Sequence, residues 1–237
     1  MSLLLIDIGN SRIKWGWDDG QLSGAISHHQ DGWLEQLRHA WQDTTPSECR
    51  ISNVAHREVL QKVQSLITCP TLLITAQAQH QHLILGYEPN QMGADRYAQL
   101  LGAQTICAGK NHIVISAGTA TTIDGVLASG QHIGGIILPS VHLMRSSLHQ
   151  YTAKLPLDGG EFQPNHAPQN TADALATASQ LAILGALHEF IRRYMNGLEI
   201  EIVLCGGAAD EIAKQLNINP VNIAPSLCLV GLKAWQN

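Results

Sequence analysis

The chain has 237 residues, 45% of them hydrophobic, and a formal net charge of −5 at neutral pH. This length and apolar content allow one large domain or two small ones with a sizeable buried core. The acidic balance argues against unspecific binding of nucleic acid, which requires a basic surface that displaces counterions. We therefore expect small molecules or other proteins as partners.

The cysteines and the apolar runs indicate a protein of the reducing cytoplasm. The five cysteines are odd in number and widely spaced, so a disulfide framework is not expected. No charged segment followed by an apolar one opens the chain, and no uninterrupted apolar run approaches membrane-spanning length. We predict a cytoplasmic protein that does not associate with a membrane.

Strand and helix patterns alternate through the first half of the chain. A Gly-Asn dipeptide at 9–10, which tolerates positive φ, joins the first two strands in a tight hairpin and places Asp7 at a strand end. In chain order the predicted elements are strands at 2–8 and 11–17, helices at 33–41 and 59–67, a strand at 71–75 and a helix that begins after Gly93.

The second half repeats this alternation of strands and helices, and the pattern of the whole chain predicts an α/β architecture. Residues 150–170 contain three prolines, two glycines and little periodicity, which predicts a long loop. The other predicted elements are strands at 112–117, 121–127 and 131–138, a helix at 171–194, a buried strand that ends in the "CGG" turn, a helix after that turn and a short C-terminal helix.

An internal repeat links the two halves. Ile6, Gly9 and Gly16 recur as Ile115, Gly118 and Gly125, at a constant offset of 109 residues (115 minus 6). At that offset Asp7 becomes Ser116. The repeat predicts two similar domains, at 1–110 and 111–237.

Both glycine-containing turns of the repeat are candidate phosphate sites. Glycine lets backbone N–H groups approach an anion closely, because no Cβ stands in the way. In the first turn Asp7 would hold Mg²⁺ through water, while Asn10, Ser11 and Lys14 would contact phosphate oxygens. The alternative is an ordinary hairpin turn with Asp7 as a local turn acid. The hydroxyls of the second turn come from Thr119, Thr121 and Thr122.

Two further stretches allow a functional or a purely structural interpretation. In "YEPNQMGADR", residues 87–96, Asp95 and Arg96 set an acid beside a base at a helix start, yet an N-terminal cap and a surface charge are the commoner explanation of such a pair. In "CGGAAD", residues 205–210, bare backbone suits a base or ribose, but Gly-Gly at such a turn is more often a steric necessity. The twelve histidines lack ligand spacing for a structural zinc site.

Taken in order, "DIGNSRIK", "YEPNQMGADR", "SAGTATTID", "GGIILPS" and "NTADAL" closely resemble the motif series of the type III pantothenate kinases, a bacterial family that also includes proteins described as Bvg accessory factors. The resemblance extends from residue 3 to the "CGG" turn. "GADR" and "GTATT" in this order are fairly specific, although each is short.

The resemblance implies a fold, a reaction and an assembly. The family's fold is a duplicated ribonuclease H-like domain of the acetate kinase, sugar kinase and actin superfamily, which agrees with the internal repeat. Its activity is the phosphorylation of pantothenate by ATP with Mg²⁺, the first step towards coenzyme A. The family's enzymes are homodimers whose pantothenate pocket is shared between subunits.

The resemblance also implies roles for individual residues. Asp95 is the general base, and the pantothenate pocket adds Tyr87, Gly93, Ala94, Arg96 and Thr171. Thr119 contacts ATP from the second turn. The first phosphate loop consists of Asp7, Ile8, Gly9, Asn10, Ser11, Arg12, Ile13 and Lys14.

The sequence departs from the family pattern at two positions. Ser140 replaces a glycine, which is expected only to reshape a turn. Ser116 replaces the aspartate that holds a monovalent cation, usually potassium or ammonium, so we expect that cation to bind weakly or not at all.

Two other functions compete with an active kinase. A catalytically impaired accessory or regulatory protein would keep the fold and nucleotide binding, with Ser116 as its lesion. A ribonuclease H-like nuclease would need several carboxylates around paired metals. The acidic charge and the phosphate turns speak against the nuclease, and the presence of Asp7, Lys14, Asp95 and Arg96 speaks against the impaired protein.

Overall fold

Strands form two five-stranded sheets and one short ribbon in the computed structural model, which describes residues 2–216 and 218–235. The strands are β1 Leu3–Ile8, β2 Arg12–Gly16, β3 Gly24–Ser27, β4 Glu48–Asn53, β5 Thr71–Leu73, β6 Gln79–His80, β7 Leu83–Ile84, β8 His112–Ala117, β9 Ala120–Val126, β10 His132–Pro139, β11 Glu201–Cys205 and β12 Val221–Ile223.

Helices follow the strands in the order expected for an α/β protein. A single 3-10 turn at Pro89–Gln91 precedes the third of them. The helices are α1 Trp33–Trp41, α2 Arg57–Gln64, α3 Ala94–Ile106, α4 Val141–Tyr151, α5 Thr171–Tyr194, α6 Ala209–Ala213 and α7 Leu227–Ala234.

The two large sheets have the same layout, as the internal repeat predicts. Their strand orders are β3-β2-β1-β4-β5 and β10-β9-β8-β11-β12. Each central strand pairs in parallel with the first strand after its crossover, β1 with β4 and β8 with β11. A duplicated α/β unit therefore underlies the whole chain.

Most predicted elements are confirmed, and the differences have local causes. The hairpins, the helix after Gly93 and the helix at 171–194 lie where the patterns place them, whereas α2 ends at Gln64 rather than at 67. The patterns missed α4, an 11-residue helix that has no fully buried residue. Ser140 is its N-cap, and its hydroxyl accepts a hydrogen bond from the Leu143 N–H at 3.1 Å.

The first sheet buries different side chains on its two faces. Leu4, Ile6 and Ile8 alternate along β1 and join a core cluster with residues of α1 and α2. The intervening position Asp7 points to the other face, on which α7 packs against β1 and β4. That face, together with α3, holds the candidate active site.

Helices α3 and α7 approach so closely that glycine is required at the contact. A Cβ on Gly231 would lie 1.6 Å from the Ala98 carbonyl oxygen. Nη1 of Arg50, on β4, donates hydrogen bonds to carbonyl oxygens of Leu232 and Lys233 at 3.1 and 2.9 Å, and also to that of Trp235. The guanidinium thus satisfies carbonyls at the negative end of α7 and anchors the helix to the sheet.

Two compact units divide the chain. One comprises the residues up to Lys110, Val126–Gly134 and those from Ala224 onward; the other comprises Asn111–Gly125 and Gly135–Ile223. The division into domains 1–110 and 111–237 stays a prediction. Within the second unit α5 is long and apolar enough to cross a membrane, yet half of its most apolar window is buried inside the protein, as in the core helix of a soluble protein.

Candidate active site

Asp7 is a buried carboxylate with an unsatisfied oxygen. Its side chain is 7% exposed, and Oδ1 has no hydrogen-bond partner among the described residues. Lys14 lies directly opposite on β2, so both side chains leave the same face of the sheet. A buried anionic oxygen without a donor is costly unless a cation or a ligand compensates it.

Burial, two neighbouring charges and two polar side chains set the protonation of Asp7. Burial is the largest influence and, with the negative charge of Asp95, raises the pKa of Asp7 to about 6, against the opposing effect of Lys14. Cys228 on α7 and Ser52 on β4 also lower the pKa of Asp7. Ser52 Oγ makes no regular hydrogen bond in the described structure and acts on Asp7 as a nearby polar group.

The environment of Asp7 fits Mg²⁺ held through water. Mg²⁺ prefers oxygen ligands and usually keeps several waters, so one carboxylate together with substrate phosphates is a common arrangement. Among the described residues no group of three or more histidine, cysteine or acidic side chains could hold a metal on its own. The free Oδ1 of Asp7 is therefore suited to an ion that arrives with a nucleotide.

Asp95 lies in the first turn of α3, close enough to Asp7 for its negative charge to raise the pKa of Asp7. Its Oδ1 accepts a hydrogen bond from the Arg96 N–H at 2.7 Å. Burial raises the pKa of Asp95, while that hydrogen bond and the charges of Arg96 and Lys14 oppose the rise. The N-cap residue is Gly93, so Asp95 is not the cap itself, although it satisfies one first-turn N–H.

Arg96 is buried, which makes the alternative of a surface charge wrong. Its exposed fraction is 6%, and its guanidinium carbon lies 5.0 Å from the centre of the Tyr87 ring, in a cation–π arrangement. Tyr87, Gly93, Ala94, Asp95 and Arg96 thus lie together at the N-terminal end of α3. The structure brings these predicted residues into one region with Asp7 and Lys14.

The first turn contributes backbone groups and polar side chains. The Gly9 N–H donates to the Arg12 carbonyl at 3.0 Å and closes the turn. Asn10 and Arg12 are exposed and Ser11 is half-buried. The side chains of Ile8 and Ile13 are fully buried in the core cluster on the other face, so only their backbone atoms remain available to a ligand.

The second turn lies in the second compact unit. The Gly118 N–H donates to the Ala120 carbonyl at 3.0 Å, and Thr119 is exposed at the tip. Ser116 is half-buried on β8 and pairs in register with Cys205 on β11. Thr121 is buried and Thr122 is half-buried, so Thr119 is the most exposed of the three threonines of this turn.

Two other predicted features of the second unit lie where β11 ends and where α5 begins. Gly206 has φ of +95°, and a Cβ there would lie 2.3 Å from the Ala117 carbonyl oxygen, as the steric interpretation of the "CGG" turn requires. Thr171 is exposed in the first turn of α5, whose N-cap Asn170 accepts a hydrogen bond from the Asp173 N–H at 2.9 Å.

Sequence patterns missed two neighbours of Asp7. Ser52 lies beside Asp7 because β4 pairs in parallel with β1, and an expected crossover after α1 could have indicated that strand. Cys228 lies on α7, far away in sequence, and no local pattern signals its approach to Asp7.

A cavity of about 570 Å³ lies beside the first turn. Ser11 and Arg12 of the first turn line it, together with residues of β3 and of the segment through α1. Trp15 and Ile26, which belong to the core face of the sheet, also line it. Asp7 points to the opposite face, so this cavity is separate from the acidic cluster.

Solved structures place the fold. A Campylobacter jejuni protein assigned to the Baf family matches with a TM-score of 0.66 and 20% identity over 97% of this chain and 95% of that one. A Sinorhizobium meliloti protein described as a 2-dehydro-3-deoxygalactonokinase matches with a TM-score of 0.62 and 15% identity over 98% and 97%. The fold is that of duplicated ribonuclease H-like domains of the acetate kinase, sugar kinase and actin superfamily.

Sequence comparison narrows this class to a family. A family model described as type III pantothenate kinase matches residues 3–193. The type III pantothenate kinase of Chromobacterium violaceum is 37% identical over 99% of both chains. That of Azoarcus sp. strain BH72 is 34% identical over 97% of this chain and 89% of its own length. The chain belongs to the type III pantothenate kinase family.

Proposed function

We propose that the protein transfers the γ-phosphoryl group of ATP to the primary hydroxyl of pantothenate, giving 4'-phosphopantothenate for coenzyme A synthesis. Membership of the family supports this reaction. One structural observation carries the assignment of the site: Asp7 and Asp95, both with raised pKa values, lie within electrostatic reach of Lys14 on one face of the first sheet.

Asp95 is proposed as the general base. The hydroxyl oxygen of pantothenate bonds to the γ-phosphorus, the bond from that phosphorus to the β–γ bridging oxygen breaks, and ADP leaves with that oxygen. The hydroxyl proton moves to Asp95. Because burial raises the pKa of Asp95, this carboxylate is a stronger base than an exposed aspartate.

Lys14, Asp7 and the first turn are proposed to bind the triphosphate. The ammonium of Lys14 would pair with phosphate oxygens, and Asp7 would hold Mg²⁺ through water. Bound there, Mg²⁺ would offset negative charge on the phosphates. Thr119 is proposed as an ATP contact from the second turn.

Pantothenate is proposed to bind at the N-terminal end of α3. Its carboxylate matches the buried guanidinium of Arg96, which the Tyr87 ring orients. Gly93 and Ala94 would present small side chains and backbone to the substrate, and Thr171 would add a hydroxyl. We further propose a cytoplasmic homodimer whose pantothenate pocket is shared between subunits.

The accessory-protein alternative gains no support from the comparisons. The relatives from Chromobacterium violaceum and Azoarcus sp. are named as kinases. In this chain Asp7, Lys14 and Asp95 lie in one cluster.

A coupled assay of ADP release tests the proposal. Release that requires both Mg²⁺ and pantothenate is the expected result, and Asp95→Asn serves as the matched variant. ATP binding without pantothenate-dependent release, under varied monovalent salts, would instead favour the accessory protein. The mass of the purified protein at micromolar concentration tests the dimer.

A further inference from the structure

Two adjacent histidines contact the back of the first turn. His28 Nε2 lies 3.0 Å from the Gly9 carbonyl oxygen, and His29 Nε2 lies 3.2 Å from the Asn10 carbonyl oxygen. A carbonyl oxygen only accepts hydrogen bonds, so each Nε2 carries the proton and donates it. Two successive carbonyls of one turn are thus held by two successive side chains.

Strand β3 delivers these histidines to the turn. It runs antiparallel to β2 with Arg12 opposite Ser27, so the next two residues of the chain reach the level of Ser11 and Asn10. The register of the hairpin therefore fixes where the imidazoles lie, independently of any ligand.

Ring contacts hold the His28 imidazole in place. The His28 and His29 rings are 4.4 Å apart with a tilt of 49°, and Trp33 meets His28 edge to face at 6.4 Å. His28 is half-buried, whereas His29 is exposed. We therefore expect the His28 hydrogen bond to be the stronger of the two, since water competes less for it.

Peptide planarity transmits this arrangement to the N–H groups. In a trans peptide the C=O and the N–H point in opposite directions, and both peptides concerned are trans. With the Gly9 and Asn10 carbonyls facing the histidines, the N–H groups of Asn10 and Ser11 face away from them. Among the described residues neither N–H has an acceptor.

We propose that His28 and His29 are positioning residues that hold the first turn in the shape that presents the Asn10 and Ser11 N–H groups to phosphate oxygens. Two unpaired N–H groups fixed side by side form a concave donor site for an anion. Without the histidines, the peptides would rotate and the ordering cost would fall on nucleotide binding. This inference rests on the proposal that the first turn binds the triphosphate of ATP.

The test compares donors of equal reach with apolar side chains of similar bulk. His28→Gln keeps an amide N–H near the position of Nε2, whereas His28→Leu removes the donor; His29→Gln and His29→Leu form the second pair. His39→Leu is the control, since His39 is an exposed imidazole on α1. The readouts are the KM values for MgATP and for pantothenate, kcat and the melting temperature.

We expect His28→Leu to raise the KM for MgATP by about 3- to 10-fold, in line with the loss of one hydrogen bond, and His29→Leu to raise it less. The KM for pantothenate should stay unchanged, and each Gln variant should recover most of the loss. The inference is overturned if Leu and Gln variants behave alike, or if both KM values change together with the melting temperature.

Lys14→Ala separates this inference from the proposed function. If Lys14→Ala weakens MgATP binding and the Leu variants have no effect, the role of the histidines is refuted and the nucleotide site stands. No effect in any of these variants refutes the nucleotide site, and the inference with it.

A measurement on the unsubstituted protein guards against misfolded variants. The backbone amide resonances of Asn10 and Ser11 should shift downfield when MgADP is added, because each N–H gains an anionic acceptor. Unchanged resonances at saturating MgADP would overturn the inference.

Discussion

Ser116 occupies in the second sheet the position that Asp7 occupies in the first. Each is the fifth residue of the central strand, and each is paired in register with the strand after the crossover, Asp7 with Ser52 and Ser116 with Cys205. One sheet therefore carries a carboxylate where the other carries a neutral hydroxyl. The repeat has kept the backbone position and exchanged the charge.

Potassium dependence is the first prediction from this pair. A single hydroxyl compensates a bound monovalent cation far less than a carboxylate does. We expect only slight dependence of activity on potassium or ammonium in the unsubstituted protein, and a stronger dependence after Ser116→Asp. Activity is titrated against KCl at constant ionic strength with tetramethylammonium as the balancing ion. A steep potassium requirement before substitution would show that other groups build the site.

The roles of Asp95 and Lys14 should separate in kinetics. Asp95→Asn keeps an oxygen that can accept the Arg96 N–H but loses the base, so kcat should fall by about 10²- to 10⁴-fold with little change in ATP affinity. Lys14→Ala should mainly weaken ATP binding. Lys62→Ala on the exposed face of α2 is the control. Equal losses of ATP affinity in both variants would refute the assignment of Asp95.

Asp7 should make the unliganded protein less stable as the pH rises. The ordinary pKa of an aspartate, 3.8, applies in the unfolded chain, and the pKa of Asp7 is about 6 in the folded protein. Between these pH values the folded state binds more protons than the unfolded state, so the free energy of unfolding falls as the pH rises. Two pKa units correspond to about 3 kcal/mol, lost between about pH 4 and pH 6 and constant above that range.

Asp7→Asn should remove this loss while also impairing activity with MgATP. Urea unfolding of both proteins across the same pH range isolates the contribution of Asp7, because the other carboxyl groups are common to them. Parallel pH profiles would mean that Asp7 titrates normally in the folded protein.

Gly206 and Gly207 provide a matched stability test within one turn. A Cβ on residue 206 would lie 2.3 Å from the Ala117 carbonyl oxygen, and the backbone there has a φ of +95°. A Cβ on residue 207 would have no neighbour within 4 Å. We expect Gly206→Ala to lower the free energy of unfolding by about 2 kcal/mol or more, since left-handed strain alone costs roughly 1–3 kcal/mol. Gly207→Ala should change it much less. Similar melting temperatures for the two variants would contradict this account.

The elements that the sequence predicted are those with a strong local signal. The Gly-Asn turn indicates the first hairpin, and the 24 residues of α5 carry a long apolar pattern. In contrast, β6 and β7 contain two residues each, which is too short for a strand to be recognised from alternating polarity. Strand β4 follows a crossover, and its place beside β1 depends on tertiary pairing that no local window contains.

The candidate site was predictable in its motifs but not in its electrostatics. The motif at 87–96 placed Asp95 and Arg96 at a helix start, and the structure finds them there. The approach of Asp95 to Asp7, the burial of Arg96 and the nearby Cys228 arise from packing of α3 and α7 on the sheet. Segments that are distant in sequence create these environments, so local patterns do not contain them.

The attachment of α7 to the first sheet has a consequence for synthesis on the ribosome. Arg50 on β4 bonds to carbonyls at the end of α7, and Gly231 lies against Ala98 of α3. Residues 111–223 are translated between these partners, most of them belonging to the other unit. The first unit therefore cannot complete its packing until the second unit has been translated. A nascent chain that stalls before α7 has only α3 to cover the Asp7 face of its first sheet.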